Sequence, residues 1–203
     1  MIRALKRIYR KYTNNVAFTK SIEEQKMFLH RFNEDLNAQE RVYAKYLCRK
    51  YMSPSQAYFF ALNLVSLLAF VPIWAYYKAR SVNHAYVNKS NKKTAIIRKD
   101  HLFDEIIDIV PNQIHEQYDD VRFVELKDYK NAWLDKDASK LLKQLIKRHP
   151  FCFYMNFMTM LNLADCCKAI SSYQPSAIIS YAEERNFTKP LVTEFCHKKG
   201  VIC

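Results

Sequence analysis

The chain has 203 residues, half of them hydrophobic and 14% aromatic; that is enough apolar material for a real core in one or two structural units, and it excludes a disordered polymer. It contains one glycine, Gly200, against the roughly 7% of a typical soluble chain, and so has no Walker loop, no G-x-G-x-x-G and no G-x-S-x-G, all of which need glycines to admit a close backbone approach. The net charge of +12 is uneven, with 19 Lys/Arg against 6 Asp/Glu in residues 1–100 and 13 against 14 in residues 101–203, which points the first half toward an anionic partner, either lipid headgroups or nucleic acid.

Residues 1–12 place Ile2, Leu5, Ile8, Tyr9 and Tyr12 at helical spacing, with Arg3, Lys6, Arg7, Arg10 and Lys11 between them. The pattern predicts a short basic amphipathic helix of the kind that lies on a membrane surface. Ser21 and Glu24 have capping-box spacing, and Phe28, Phe32, Leu36, Tyr43 and Leu47 recur along one face, predicting a helix from about Ser21 to Lys50.

No charged residue occurs from Tyr51 to Tyr77, and Ala57 to Tyr77 is interrupted only by the polar Asn63 and Ser66. That length suffices to cross a bilayer, which takes about 20 apolar residues. Pro72 is expected to break its last third, and basic residues flank both ends: Arg41, Lys45, Arg49 and Lys50 before, Lys78, Arg80, Lys89, Lys92 and Lys93 after. A single span concentrates positive charge on its cytoplasmic side. Three readings therefore stand together: a crossing, insertion into one leaflet, and a buried core helix. In the first two, Phe59, Phe60, Leu64, Leu67, Leu68, Phe70, Ile73 and Trp74 contact lipid, together with the basic residues of 1–12.

Ser81 to Lys93 reads as a polar, basic linker, dividing a helical region, 1–93, from an α/β region, 94–203. Beyond it, Thr94 to Ile97 and Val121 to Leu126 read as strands, with a helix or turn around Leu102 to Val110 that Pro111 ends. Asp137 is expected to cap a helix with Ala138, Leu141, Leu142, Leu145 and Ile146 inward. Phe151 to Ser172, apolar nearly all round, reads as a buried helix. Pro175 turns the chain into a strand over Ala177 to Tyr181. A helix over Thr188 to Lys199 then buries Leu191, Val192, Phe195 and Cys196, with Gly200 at the position after its end where a left-handed residue is wanted. Val201, Ile202 and Cys203 start another strand. Strand, helix, strand in this order predicts a parallel sheet, so the fold class is α/β, an incomplete Rossmann-like sheet behind a helical, partly membrane-associating region. An apolar strand edge at the carboxyl end would call for a partner chain or further residues to cover it.

Chemistry is sparsely marked. The six cysteines, 48, 152, 166, 167, 196 and 203, show no C-x-x-C, and most read as small buried hydrophobes in a reducing compartment. The six histidines lack metal-ligand spacing, so no metal and no cofactor is expected. Cys196 and His197, adjacent on a helix, point in different directions and make a poor nucleophile pair. Asp104/Glu105 and Asp119/Asp120 read as solvated faces. Glu183 and Glu184 directly follow a strand, where open α/β sheets bind ligands; one of them could serve as general base toward a hydroxyl, against the plainer reading of a solvated pair beside Arg185. Tyr9, Tyr12, Tyr43, Tyr46 and Tyr51 interleave with basic residues, but no nucleic-acid module accompanies them, and the adjacent apolar run favours an anionic membrane over nucleic acid.

The run from Ser176 to Cys203, SAIISYAEERNFTKPLVTEFCHKKGVIC, resembles the late part of the N-terminal domain of two-Rossmann-domain (GT-B) glycosyltransferases of bacterial capsule and surface-polysaccharide synthesis. There a strand ending in a polar residue leads to a helix of the T-x-x-L-x-x-x-C/A-x-x-x-G-I/V kind, then to a strand and a His-Gly turn; Thr188, Leu191, Phe195, Gly200 and Val201 follow that pattern loosely. The resemblance implies the acceptor-binding half of a glycosyltransferase on the cytoplasmic face of the cell membrane, with a saccharide or lipid-linked acceptor. The His-Gly turn and the nucleotide-sugar domain are not in this sequence, so the resemblance implies no sugar transfer by this chain alone. The competing reading is a non-catalytic, membrane-bound interaction protein.

Overall fold

A computed structural model describes residues 36–51, 56–80, 93–98, 112–124, 131–180 and 187–203. The elements are helix α1 (Ala38–Tyr51), helix α2 (Gln56–Ala79), strand β1 (Thr94–Arg98), helix α3 (Asn112–Gln117), strand β2 (Asp120–Val124), helix α4 (Lys136–Arg148), helix α5 (Phe153–Tyr173), strand β3 (Ala177–Ser180) and helix α6 (Lys189–Lys198). The chain is mixed α/β, mostly helical, with a small parallel sheet.

The helix expected from Ser21 has a start of its own at Asn37. The Asn37 side chain accepts from the Glu40 N–H at 3.1 Å, and the Glu40 carboxylate accepts from the Asn37 N–H at 3.0 Å, a reciprocal capping box that satisfies two backbone donors at once. Residues 21–35 lie outside the described residues. Pro72 does not break α2, which runs on to Ala79. Proline removes the donor for the Leu68 carbonyl, but Phe70, Ile73, Trp74 and Tyr77 on either side of it pack on the core and hold the helix together. Pro111, expected to end a helix over 102–110, stands just before α3; residues 102–111 are outside the described set.

The cap of α4 is Asp135, not Asp137. Its side chain accepts from the Ala138 N–H at 2.8 Å, so Ala138, already buried, becomes the third helical residue. Asp137 falls in the first turn, where a carboxylate suits the helix dipole, and both aspartates receive Lys199 Nζ from the end of α6, Asp135 at 2.7 Å. Burial disfavours charge on Lys199, but the two carboxylates outweigh it and hold its pKa above the ordinary lysine value. The same contact holds Asp137 below the usual carboxylate range.

Strand order is β2-β1-β3, all parallel, with Thr94 opposite Asp120 and Ala95 opposite Ala177. Ile202 adds a parallel bridge beyond β3: Ile178 N–H donates to its carbonyl at 2.8 Å and its own N–H donates to Ser176 at 3.0 Å. The turn into that bridge is closed by Gly200 (φ 72°). Its N–H bonds the His197 carbonyl at 3.0 Å and the Val201 N–H bonds that of Cys196 at 2.9 Å, the paired bonds of a Schellman stop, which favours a residue free to adopt positive φ.

One hydrophobic core joins these pieces. Val42 and Tyr46 of α1 and Phe59 and Tyr77 of α2 share it with Leu141, Leu142 and Leu145 of α4, Met160 and Leu163 of α5, and Leu191 and Phe195 of α6. Helix α5 is its centre and packs against α2, α4 and α6.

Candidate membrane-contacting surface

Helix α2 has two unlike faces. Toward the protein it turns Phe59, Asn63, Ser66, Phe70, Ile73, Trp74 and Tyr77, spaced by three and four residues as one helical stripe. Asn63 is the fixing point of this stripe: its Nδ2 donates to the Phe59 carbonyl at 2.8 Å and to the Tyr46 hydroxyl at 3.2 Å, while its Oδ1 accepts from the Tyr154 N–H at 3.1 Å in the first turn of α5. Ser66 is buried, only 3% exposed. Both polar residues of the apolar run are thus consumed by the protein side.

The opposite face carries Phe60, Leu64, Val65, Leu68 and Val71, with Phe60 73% and Leu68 72% exposed. Every exposed position from 57 to 76 is apolar or tyrosine, and only 11% of the most apolar 18-residue window is buried. By length and composition the helix could cross a bilayer. Single exposed hydrophobes are ordinary, but a contiguous apolar stripe along a whole helix marks a contact surface. At its carboxyl end, Lys78 Nζ stands 5.7 Å from the Trp74 ring centroid and the Arg80 guanidinium 5.3 Å from that of Tyr76, so aromatic rings and cations meet where the apolar stripe stops.

Of the residues expected to meet lipid, Phe60, Leu64, Leu67 and Leu68 face outward. Phe59 is a correction: it is 3% exposed, with its ring 5.9 Å from those of Tyr46 and Tyr154, because one turn of the stripe that carries Asn63 also carries Phe59 inward. Phe70, Ile73 and Trp74 are half-buried against the core. Arg3, Lys6, Arg7, Arg10 and Lys11 lie outside the described residues, as do Glu183, Glu184, Asp104 and Glu105. Val65 and Val71 were missed. The signal for them is the i, i+3 pair Asn63 and Ser66, which marks the inward face and so assigns the outward one.

The sheet offers a second location. Because β1 pairs with β2 on one side and β3 on the other, its order changes direction at β1, and segments 99–111 and 181–186 leave from the adjacent carboxyl ends of β1 and β3. At the amino ends, an open polar cavity of about 520 Å³ is bordered by Thr94, Asp119, Asp120 and Arg122. Its carboxylates are engaged within the protein: Asp119 accepts from the Lys93 N–H at 2.7 Å and Asp120 pairs with Arg122 at 2.7 Å.

The buried thiols are arranged for packing. Cys166, Cys167 and Cys196 are buried and free, with Cys166 and Cys196 sulfurs 3.4 Å apart. Burial pushes the Cys167 thiol well above its ordinary pKa, and the contact with Cys166 does the same for Cys196, which disfavours the nucleophilic thiolate. Cys196 is buried while its neighbour His197 is exposed, so the two diverge. Among the described residues no group of three His, Cys, Asp or Glu side chains could hold a metal ion.

Comparison with protein-family models, with curated proteins and with solved structures finds no match to the chain.

Proposed function

We propose that this is a membrane-associated α/β protein that docks on anionic lipid through the outward face of α2. The observation that carries the reading is the division of α2: Asn63 is spent on Tyr46, Phe59 and Tyr154, Ser66 is buried, and what remains exposed is an uninterrupted apolar stripe. The basic residues on both sides of that stripe, Arg41, Lys45, Arg49 and Lys50 before it and Lys78 and Arg80 after it, suit a negatively charged cytoplasmic leaflet, where each contributes about 1 kcal/mol near the surface. Flotation of the full chain with vesicles containing phosphatidylglycerol tests this. Binding that weakens with salt and with neutral lipid is expected; a chain that stays at the bottom of the gradient with acidic vesicles refutes it.

The sheet order favours a further, enzymatic reading. Parallel strands in the order β2-β1-β3 with Ile202 beyond fit a Rossmann-like half-sheet whose switch point lies between β1 and β3, where ligands of such sheets bind. On this reading the chain is the acceptor-binding half of a surface-polysaccharide glycosyltransferase, with Glu183 or Glu184 near the acceptor hydroxyl, and a lipid-linked acceptor explains why a membrane surface and an acceptor site share one chain. Binding of a polyprenyl-diphosphate monosaccharide in lipid nanodiscs, weakened by the double substitution E183Q/E184Q, is the expected result. No binding, or binding indifferent to the substitution, overturns it.

A further inference from the structure

We infer that α2 lies in the plane of one leaflet, its outward stripe toward the acyl chains, and does not cross the bilayer; this rests on the membrane reading above and names its partner as a single anionic leaflet. Length does not decide the matter. A helix of 24 residues is about 36 Å long at 1.5 Å per residue, enough for a hydrocarbon core of about 30 Å.

What decides is the protein packed beside it. The inward stripe runs from Phe59 to Tyr77, so the body covers α2 along nearly its whole length. If α2 crossed, α5 would run beside it through the hydrocarbon, and α4, packed on α5, would follow with Lys140, Lys143 and Lys147 exposed. Each lysine carried to the bilayer centre opposes insertion by a factor on the order of 100. Laid in the plane, α2 presents only its apolar face to lipid. Helix axes pack 8–10 Å apart, so α4, beyond α5, stands in water.

The ends of the stripe agree with this geometry. Tyr58 at one end and Tyr76 at the other are exposed amphipathic rings suited to the headgroup level, and Arg80 sits over the latter, placed to meet lipid phosphates at the same level. Asn63 is held to Tyr46 and Tyr154, which keeps the stripe from rolling over.

A genetically encoded fluorescent residue placed in turn at Phe60, Leu64, Leu68, Val71 and Ala75 of the full chain, on phosphatidylglycerol vesicles with lipids brominated at different acyl depths, tests the orientation. These positions are exposed, so the label replaces no core contact. The expected result is one common shallow depth, about 5–10 Å into the headgroup–acyl boundary. A crossing helix instead puts Leu68 deepest and separates positions 60 and 75 by about 22 Å along the axis, and that gradient overturns the inference while leaving the membrane reading intact. Absence of quenching at every position overturns both.

Discussion

Replacing Phe60 and Leu68 together by alanine separates lipid contact from fold. Both side chains are nearly three-quarters exposed in the protein by itself, 73% and 72%, so their remaining apolar surface is free to be buried by lipid. Full burial of a Phe or Leu side chain is worth about 1.5–3 kcal/mol. Taking the exposed share and subtracting the methyl that alanine keeps leaves about 1 kcal/mol per site, or about 2 kcal/mol for the pair. At 1.4 kcal/mol per tenfold, the vesicle partition coefficient should drop by a factor of about 30. Urea denaturation in the absence of lipid should change by no more than about 0.5 kcal/mol, as for other surface sites. Phe59→Ala is the internal control: one position earlier, it opens the core between Tyr46 and Tyr154 and should cost about 3–5 kcal/mol of stability. A lipid titration in which F60A/L68A partitions like the parent refutes the argument. So does a double variant that unfolds as readily as F59A, since the outward face would then be part of the core.

Asn63→Leu removes the acceptor of the Tyr154 N–H and the partner of Tyr46; an unfolding free energy lowered by about 1–3 kcal/mol, read by urea denaturation, is expected, with vesicle binding retained. His149 is stacked on Tyr43 at 3.9 Å, and burial, reinforced by Arg148 and opposed by Glu40, holds its pKa below the ordinary histidine value. Because the unfolded chain then binds the proton more readily, stability is full above about pH 6.5 and falls as pH drops through that value; His149→Phe, which keeps the ring stack, should flatten the change in urea midpoint between about pH 7.5 and 5.5, and an unchanged slope refutes the assignment. Asp137, held low by Lys199, loses its contribution only below about pH 3.8, outside that window. Asp135→Ala removes a helix cap as well as a lysine partner and should cost about 1–2 kcal/mol, more than Asp137→Ala, which leaves the cap in place; thermal unfolding of the two variants compares them directly.

The elements that sequence patterning located well are those whose ends are set by local chemistry. Gly200 is recognisable because few other residues accept φ 72° after a helix, and Thr94 and Ala177 begin strands because β-branched runs there are bounded by turn residues. The misjudged boundaries are those where two local solutions compete and tertiary contact chooses. Asp135 and Asp137 both suit a helix start; Asp135 caps because that register buries Ala138, while Asp137 remains free to meet Lys199. Pro72 signals a break that packing on α5 overrides. The same competition governs the candidate surface. Uniform apolarity from Ala57 to Tyr77 cannot say which side of the helix meets the protein, so Phe59 and Phe60 look alike in sequence. Two polar residues three apart break that degeneracy, since a buried amide must find partners and a lipid-facing one cannot. Asn63 and Ser66 therefore orient the whole helix. It follows that moving the polar pair by two positions, to Val65 and Leu68 with leucine at 63 and 66, would abolish the lipid-facing stripe without changing the composition class of the segment, and a hydropathy reading would not register the loss.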